Sequence, residues 1–112
     1  MKNYLTQFGW LEGKPPYLLK FAYYLYLRIE SEKEVLITNK LAESALGLEK
    51  NTGKVLLCRM RRKGLVRRID PPYGLDHVLT DKGVKFVEWV NDNNHIFKIS
   101  LADIDTTWLA DD

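Results

Sequence analysis

The sequence predicts a mainly helical α+β fold, with a three-helix core, a small antiparallel sheet ending in a hairpin, and one further C-terminal helix. Three observations predict it. Residues 41–66 carry two helical apolar patterns joined by a tight Leu46-Gly47-Leu48 turn. Residues 65–69 and 75–80 are short apolar runs separated by Asp70-Pro71-Pro72-Tyr73-Gly74, a cluster of turn formers. Charge is segregated. Between positions 49 and 70 eight cations stand against two anions, whereas between 91 and 112 five acids stand against Lys98 alone. A near-neutral chain with a locally basic segment directs its field from one face.

At 112 residues the chain is long enough for one domain with a small core. It divides into an N-terminal arm or short helix at 1–14, a main domain at 15–91 and an acidic tail at 92–112. In the arm, Tyr4, Leu5, Phe8 and Leu11 share a helical face that Gly9 and Gly13 weaken. Pro15 and Pro16 suit the start of a helix, where a missing N–H costs little. Helix one is expected over 16–31. Leu18, Phe21, Ala22, Leu25 and Ile29 make one apolar stripe, and Leu19, Tyr23 and Tyr26 a second. A helix apolar on so many sides needs cover on more than one of them. That surplus predicts a homodimer formed through helix one and the terminal segments, unless the tail, with Trp108 and Leu109, folds back over the helix.

Val35-Leu36-Ile37 is a short β-rich run. Thr38 or Asn39 can cap helix two over 40–46, which turns Leu41, Ala42, Ala45 and Leu46 inward. Helix three is expected from 50 or 51 to 63. Gly53, Leu56, Leu57 and Met60 fall at i, i+3, i+4 and i+7 and define its buried face. Gly53, as a helical glycine, loosens this helix by up to about 1 kcal/mol. Gly64 fits the left-handed position after the helix. The two β runs form a hairpin, and Thr80 caps a last helix over 81–90 with Val84, Val87 and Trp89 or Val90 inward. Ser100-x-x-Asp103 can open a short helix in the tail.

This order of elements resembles the winged helix-turn-helix fold. Leu41-Ala42-Glu43, Gly47-Leu48, Lys63-Gly64-Leu65-Val66 and Leu79-Thr80-Asp81-Lys82-Gly83 are similar to the residues that small bacterial and archaeal regulators of the MarR-like and PadR-like kind carry there. The likeness covers residues 17 to 90. It implies a sequence-specific double-stranded DNA-binding transcription regulator, with a recognition helix at about 50–63 in the major groove and a wing at 65–80 on backbone or minor groove.

Helical geometry divides the candidate residues. Opposite the buried face stand Asn51, Val55, Cys58 and Arg62, flanked by Lys50, Lys54 and Arg59, with Thr52 in the first turn. Asn suits adenine and Arg suits guanine, while Val55 and Cys58 suit thymine methyls. Lys50, Lys54, Arg59, Arg61 and Lys63 suit phosphates. Arg67, Arg68 and Tyr73 belong to the wing. Cations at a helix C-terminus are also favoured by the macrodipole with no ligand at all. The exposed Val55–Cys58 pair equally suits a winged-helix protein-interaction module without DNA binding, which is the alternative reading.

An enzyme is not expected. His77 and His95 lie in separate elements, there is no zinc-ligand spacing, and no phosphate-binding glycine loop is present. No cofactor is implied. One cysteine excludes an internal disulfide, and no apolar run is long enough to span a bilayer. A cytoplasmic, non-membrane protein is the expectation.

Overall fold

The computed structural model describes residues 17–32, 35–69 and 76–110. The arm at 1–14, Pro15, Pro16 and the wing tip with Tyr73 lie outside them. In order along the chain come α1 (Tyr17–Ser31), α2 (Asn39–Leu46), α3 (Thr52–Arg62), β1 (Val66–Arg68), β2 (His77–Leu79), α4 (Asp81–Asp92) and the single turn α5 (Asn94–Phe97). Two 3₁₀ turns, Leu101–Asp103 and Thr107–Ala110, follow. This is the α+β winged helix-turn-helix architecture.

The core is built on α1. Leu18, Leu19 and all of Phe21 to Leu25 are buried, and Tyr26, Leu27 and Ile29 pack partly against the same cluster. The cover comes from within the chain. α4 and α2 pack on α1, and the tail lies across it. Trp108 meets Tyr24 edge-on at 6.0 Å, and the Arg28 guanidinium lies 5.1 Å from the Trp108 ring. Arg28 also donates to the Tyr24 hydroxyl at 2.7 Å and pairs with Glu32 at 3.0 Å. Burial pushes the Tyr24 phenol above its ordinary range, against the pull of Arg28. The Asp105 amide donates to the Ala45 carbonyl at 2.7 Å, which fastens the tail to the last turn of α2. The Asp105 carboxylate accepts from the amide and hydroxyl of Thr107, and these bonds hold it below the usual carboxylate range. Ser100 and Asp103 form the reciprocal capping box their spacing suggests, although the turn they open is three residues of 3₁₀ helix. The apolar surface that suggested a second subunit is therefore covered inside one chain along residues 18–25.

α2 begins as expected, with Thr38 accepting from the Leu41 amide at 3.0 Å, and ends at Gly47 with φ 65°. Ala42 and Ala45 are buried, while Leu41 and Leu46 are half-buried. Gly53, Leu56, Leu57 and Met60 form the buried face of α3 as the spacing requires. β1 and β2 pair antiparallel, Val66 with Leu79, Arg67 with Val78 and Arg68 with His77. The run at 35–37 adds only a single bridge, Ile37 to His77, closed by two 2.8 Å backbone bonds. Both strands are shorter than expected, three residues each, with one further backbone bond beyond each end of the ladder, from the Ile69 amide to the Asp76 carbonyl and from the Thr80 amide to the Leu65 carbonyl.

α4 runs two residues beyond its expected end. Its inward residues are Gly83, Phe86, Val87 and Val90, whereas Val84 and Trp89 are half-buried. Thr80 ties three elements together. Its amide donates to the Leu65 carbonyl, its hydroxyl donates to the Gly64 carbonyl, and its oxygen caps Gly83 at 3.0 Å. A Cβ on Gly83 would stand 1.9 Å from the Leu65 carbonyl oxygen, so the helix start and the wing root meet where no side chain fits.

Gly83→Ala should therefore lower stability by about 1–3 kcal/mol despite the better helix propensity of alanine. In urea unfolding the midpoint falls with the slope unchanged. An unchanged or raised midpoint would contradict the close approach. Deleting residues 100–112 uncovers the Tyr24 and Arg28 surface, and the shortened chain is expected to associate or aggregate in light scattering. A monomer of full stability would contradict the covering role of the tail.

Candidate nucleic-acid interface

α3 is held in place by its buried side. The Gly53 amide donates to Glu43 Oε2 of α2 at 2.9 Å. A Cβ on Gly53 would lie 2.2 Å from the Asn39 carbonyl oxygen. Gly53 is thus the second residue of α3 and the point where α2 and α3 touch backbone to backbone. This corrects the expectation that it merely loosens the helix: the missing side chain allows the approach, and the Glu43 carboxylate serves an N-terminal amide the helix cannot satisfy itself. Glu43 is a positioning contact that sequence reasoning missed. It is quoted among the residues of the family resemblance, but its partner lies ten positions away and no local pattern links them.

The helix also starts later than expected. Asn51 sits just before it with φ 78°, a left-handed conformation that asparagine tolerates better than most residues, and its side chain makes no cap bond. The Thr52 amide and hydroxyl both donate to the Glu49 carbonyl, which closes this turn. Lys50 and Asn51 therefore project from the turn before the helix, rather than from its first turn. Both are exposed.

Along α3 itself, Thr52, Lys54, Val55, Arg59 and Arg62 are exposed, and Cys58 is half-buried. Val55 exposes 55% of its surface, a high value for an aliphatic residue in the middle of a helix. Asn51, Val55, Cys58 and Arg62 share the side opposite Gly53, Leu57 and Met60. Arg67 and Arg68 are both exposed on β1, although strand alternation requires only one to be. Arg67 also lines an open groove with Ile29, Val35, Ile69, Val78, Leu79 and Val84. Tyr73 lies outside the described residues.

Arg61 has a partner within the fold. Its Nη1 lies 3.0 Å from Nε2 of His77, and His77 is 2% exposed. A guanidinium can only donate, so Nε2 of His77 accepts, and Nη1 of Arg61 faces the base of the wing. Asp103 and Asp105 of the tail have partners elsewhere: Asp103 lies 4.0 Å from Lys20, and Asp105 bonds Thr107. Neither screens α3 through those contacts. Among the described residues no group of three His, Cys, Asp or Glu is placed to hold a metal ion, and no helix is long and apolar enough to cross a membrane.

Removing the Glu43 carboxylate tests how α3 is fixed. Glu43→Ala should cost about 0.5–2 kcal/mol, the scale of a lost N-terminal cap, read by thermal or urea unfolding. Glu43→Gln, which keeps an acceptor, should lose less. Equal losses in the two would show that the carboxylate charge, not the hydrogen bond, carries the effect.

No family model matches the chain, and no curated protein matches it. One similar fold is the crystal structure of MepR, a transcription regulator of the Staphylococcus aureus multidrug efflux pump MepA, at 22% identity and a TM-score of 0.55. The match covers 88% of this chain and 73% of that one, and it shows a shared fold.

Proposed function

We propose that the chain is a double-stranded DNA-binding transcription regulator, with α3 in the major groove and the β1–β2 wing on the backbone or in the minor groove. One observation carries this reading. A row of exposed side chains able to contact bases and phosphates occupies the side of α3 opposite its buried face, and the next strand carries two exposed arginines. The shared fold of a transcription regulator supports it.

The residues fall into two roles. Asn51 and Arg62 have the donor and acceptor geometry for adenine and guanine edges, with Val55 and Cys58 beside them for thymine methyls. Lys50, Lys54, Arg59, Arg67 and Arg68 supply charge to phosphates, and Thr52 stands exposed beside them at the helix start. Arg61 is left out because it serves His77. The working unit in this reading is a cytoplasmic homodimer, which sets two α3 helices about 34 Å apart on a pseudo-palindromic site. Mass measurement of the duplex-bound protein checks that, with two chains per duplex expected.

With five or six phosphate contacts, log K should fall with log salt concentration at a slope near −5. Lys54→Ala should weaken binding to all duplexes alike and reduce that slope by about 1, whereas Arg62→Ala should cost about 1–3 kcal/mol on preferred sequences and flatten the preference. The reverse pattern would overturn the division of roles. The exposed Val55 favours one second reading, a protein-interaction module. A stable protein complex lost on Val55→Asp, together with no duplex binding at about 50 mM salt, would decide for it.

A further inference from the structure

Lys82 is the second residue of α4, a place its own helix does not explain. The amide end of a helix disfavours a cation. Neighbours at contact spacing bring no counter-charge either. Lys85 stands three positions on and the buried Phe86 four, while Asp81 is adjacent in sequence and so does not face it across the helix surface. Lys85 differs, since it stands four residues after Asp81 and three before Glu88. Among the described residues the ion pairs join Lys20 to Asp103 and Arg28 to Glu32, and Lys82 belongs to neither.

The fold carries this side chain to a different helix. The Thr80 hydroxyl donates to the Gly64 carbonyl, and the Gly83 backbone lies against the Leu65 carbonyl. The first turn of α4 is thereby fixed beside the end of α3. Cδ of Lys82 lies 3.8 Å from the place a Cβ on Gly64 would take. Gly64 comes two residues after Arg62, and Arg62, Gly64 and Lys82 are all exposed. A cation from α4 thus stands where the exposed row of α3 ends, although it lies twenty positions beyond Arg62 in the sequence.

We infer that Lys82 is a phosphate contact for the duplex that lies along α3, supplied by α4 rather than by α3 or the wing. This rests on the DNA-binding function proposed above. An ammonium on a flexible stem meets a phosphate as a point charge and reads no base. Its contribution is positional: a contact beside Gly64 fixes where the duplex backbone passes the end of α3, and so the register in which Asn51 and Arg62 meet the bases. The competing role needs no ligand. A cation beside the carbonyl end of α3 is favoured by the helix dipole, and that role shows in stability and not in binding.

Anisotropy of a labelled random-sequence duplex, titrated with the full chain between about 50 and 200 mM salt, separates the two. Lys82→Ala should weaken binding and make log K against log salt shallower by about 0.9 per bound chain, so that it loses about threefold less affinity over this range than the wild type does. Its urea midpoint should stay where it is. Lys82→Arg should restore the wild-type slope, and Lys85→Ala should keep it. An unchanged slope in Lys82→Ala, an equal change in Lys85→Ala, or no recovery in Lys82→Arg would each overturn the contact while leaving the DNA-binding reading intact. A lower urea midpoint with an unchanged slope would assign Lys82 to the end of α3 instead. A wild type that binds no duplex at about 50 mM salt would overturn the DNA-binding reading itself, and the contact with it.

Discussion

The presentation of α3 depends on how closely it approaches α2. At Gly53 the two helices meet with nothing between the α-carbon and the Asn39 carbonyl, and Glu43 reaches across to the Gly53 amide. Any side chain at that point separates the helices, and any loss of the carboxylate leaves a helix N-terminus short of a partner. The exposed row from Asn51 to Arg62 takes its direction from this contact, since the side of α3 that faces out is the one opposite Gly53, Leu57 and Met60.

The same device recurs at the other end of the helix. Gly64, with φ 75°, ends α3 and lets Leu65 turn back under it. Gly83 then brings the start of α4 against the Leu65 carbonyl, and Thr80 bonds both sides of the junction. Two backbone contacts at glycine thus fix the ends of this segment, α3 against α2 at Gly53 and the following Leu65 against the start of α4 at Gly83, and the Arg61–His77 contact adds the wing. On the solvent side Thr52 bonds the Glu49 carbonyl and Arg61 reaches His77. In a small domain, whose core is limited, fixing helices by backbone approach rather than by large apolar interfaces is an economical arrangement.

Much of this was legible in the sequence. The apolar spacing of α3, the Gly47 and Gly64 stops, the Thr38 and Thr80 caps and the hairpin all follow from local rules, because each depends on residues within a few positions of one another. What was not legible depends on residues distant in sequence. The role of Glu43 requires Gly53, that of Gly83 requires Leu65, and that of Arg61 requires His77 sixteen positions on. Basic composition alone assigned Arg61 to phosphates, and only the fold shows it turned toward the wing. The aromatic face of α1 left its cover open between a second subunit and the tail, because Trp108 lies more than eighty residues downstream of Tyr24 and no local pattern links them. The strands were overestimated at their ends, where single backbone bonds, Thr80 to Leu65 and Ile69 to Asp76, stand beyond the three paired residues.

The measurement that bears most directly on the whole account is selection of bound fragments from a random duplex pool by the purified chain at low salt. A regulator with Asn51 and Arg62 directed at base edges should enrich a short motif, containing adenine and guanine contacts and repeated as a pseudo-palindrome about one helical turn apart. Recovery of no bound duplex, or of duplex with no enriched motif, would contradict the assignment of α3 as a sequence-reading helix.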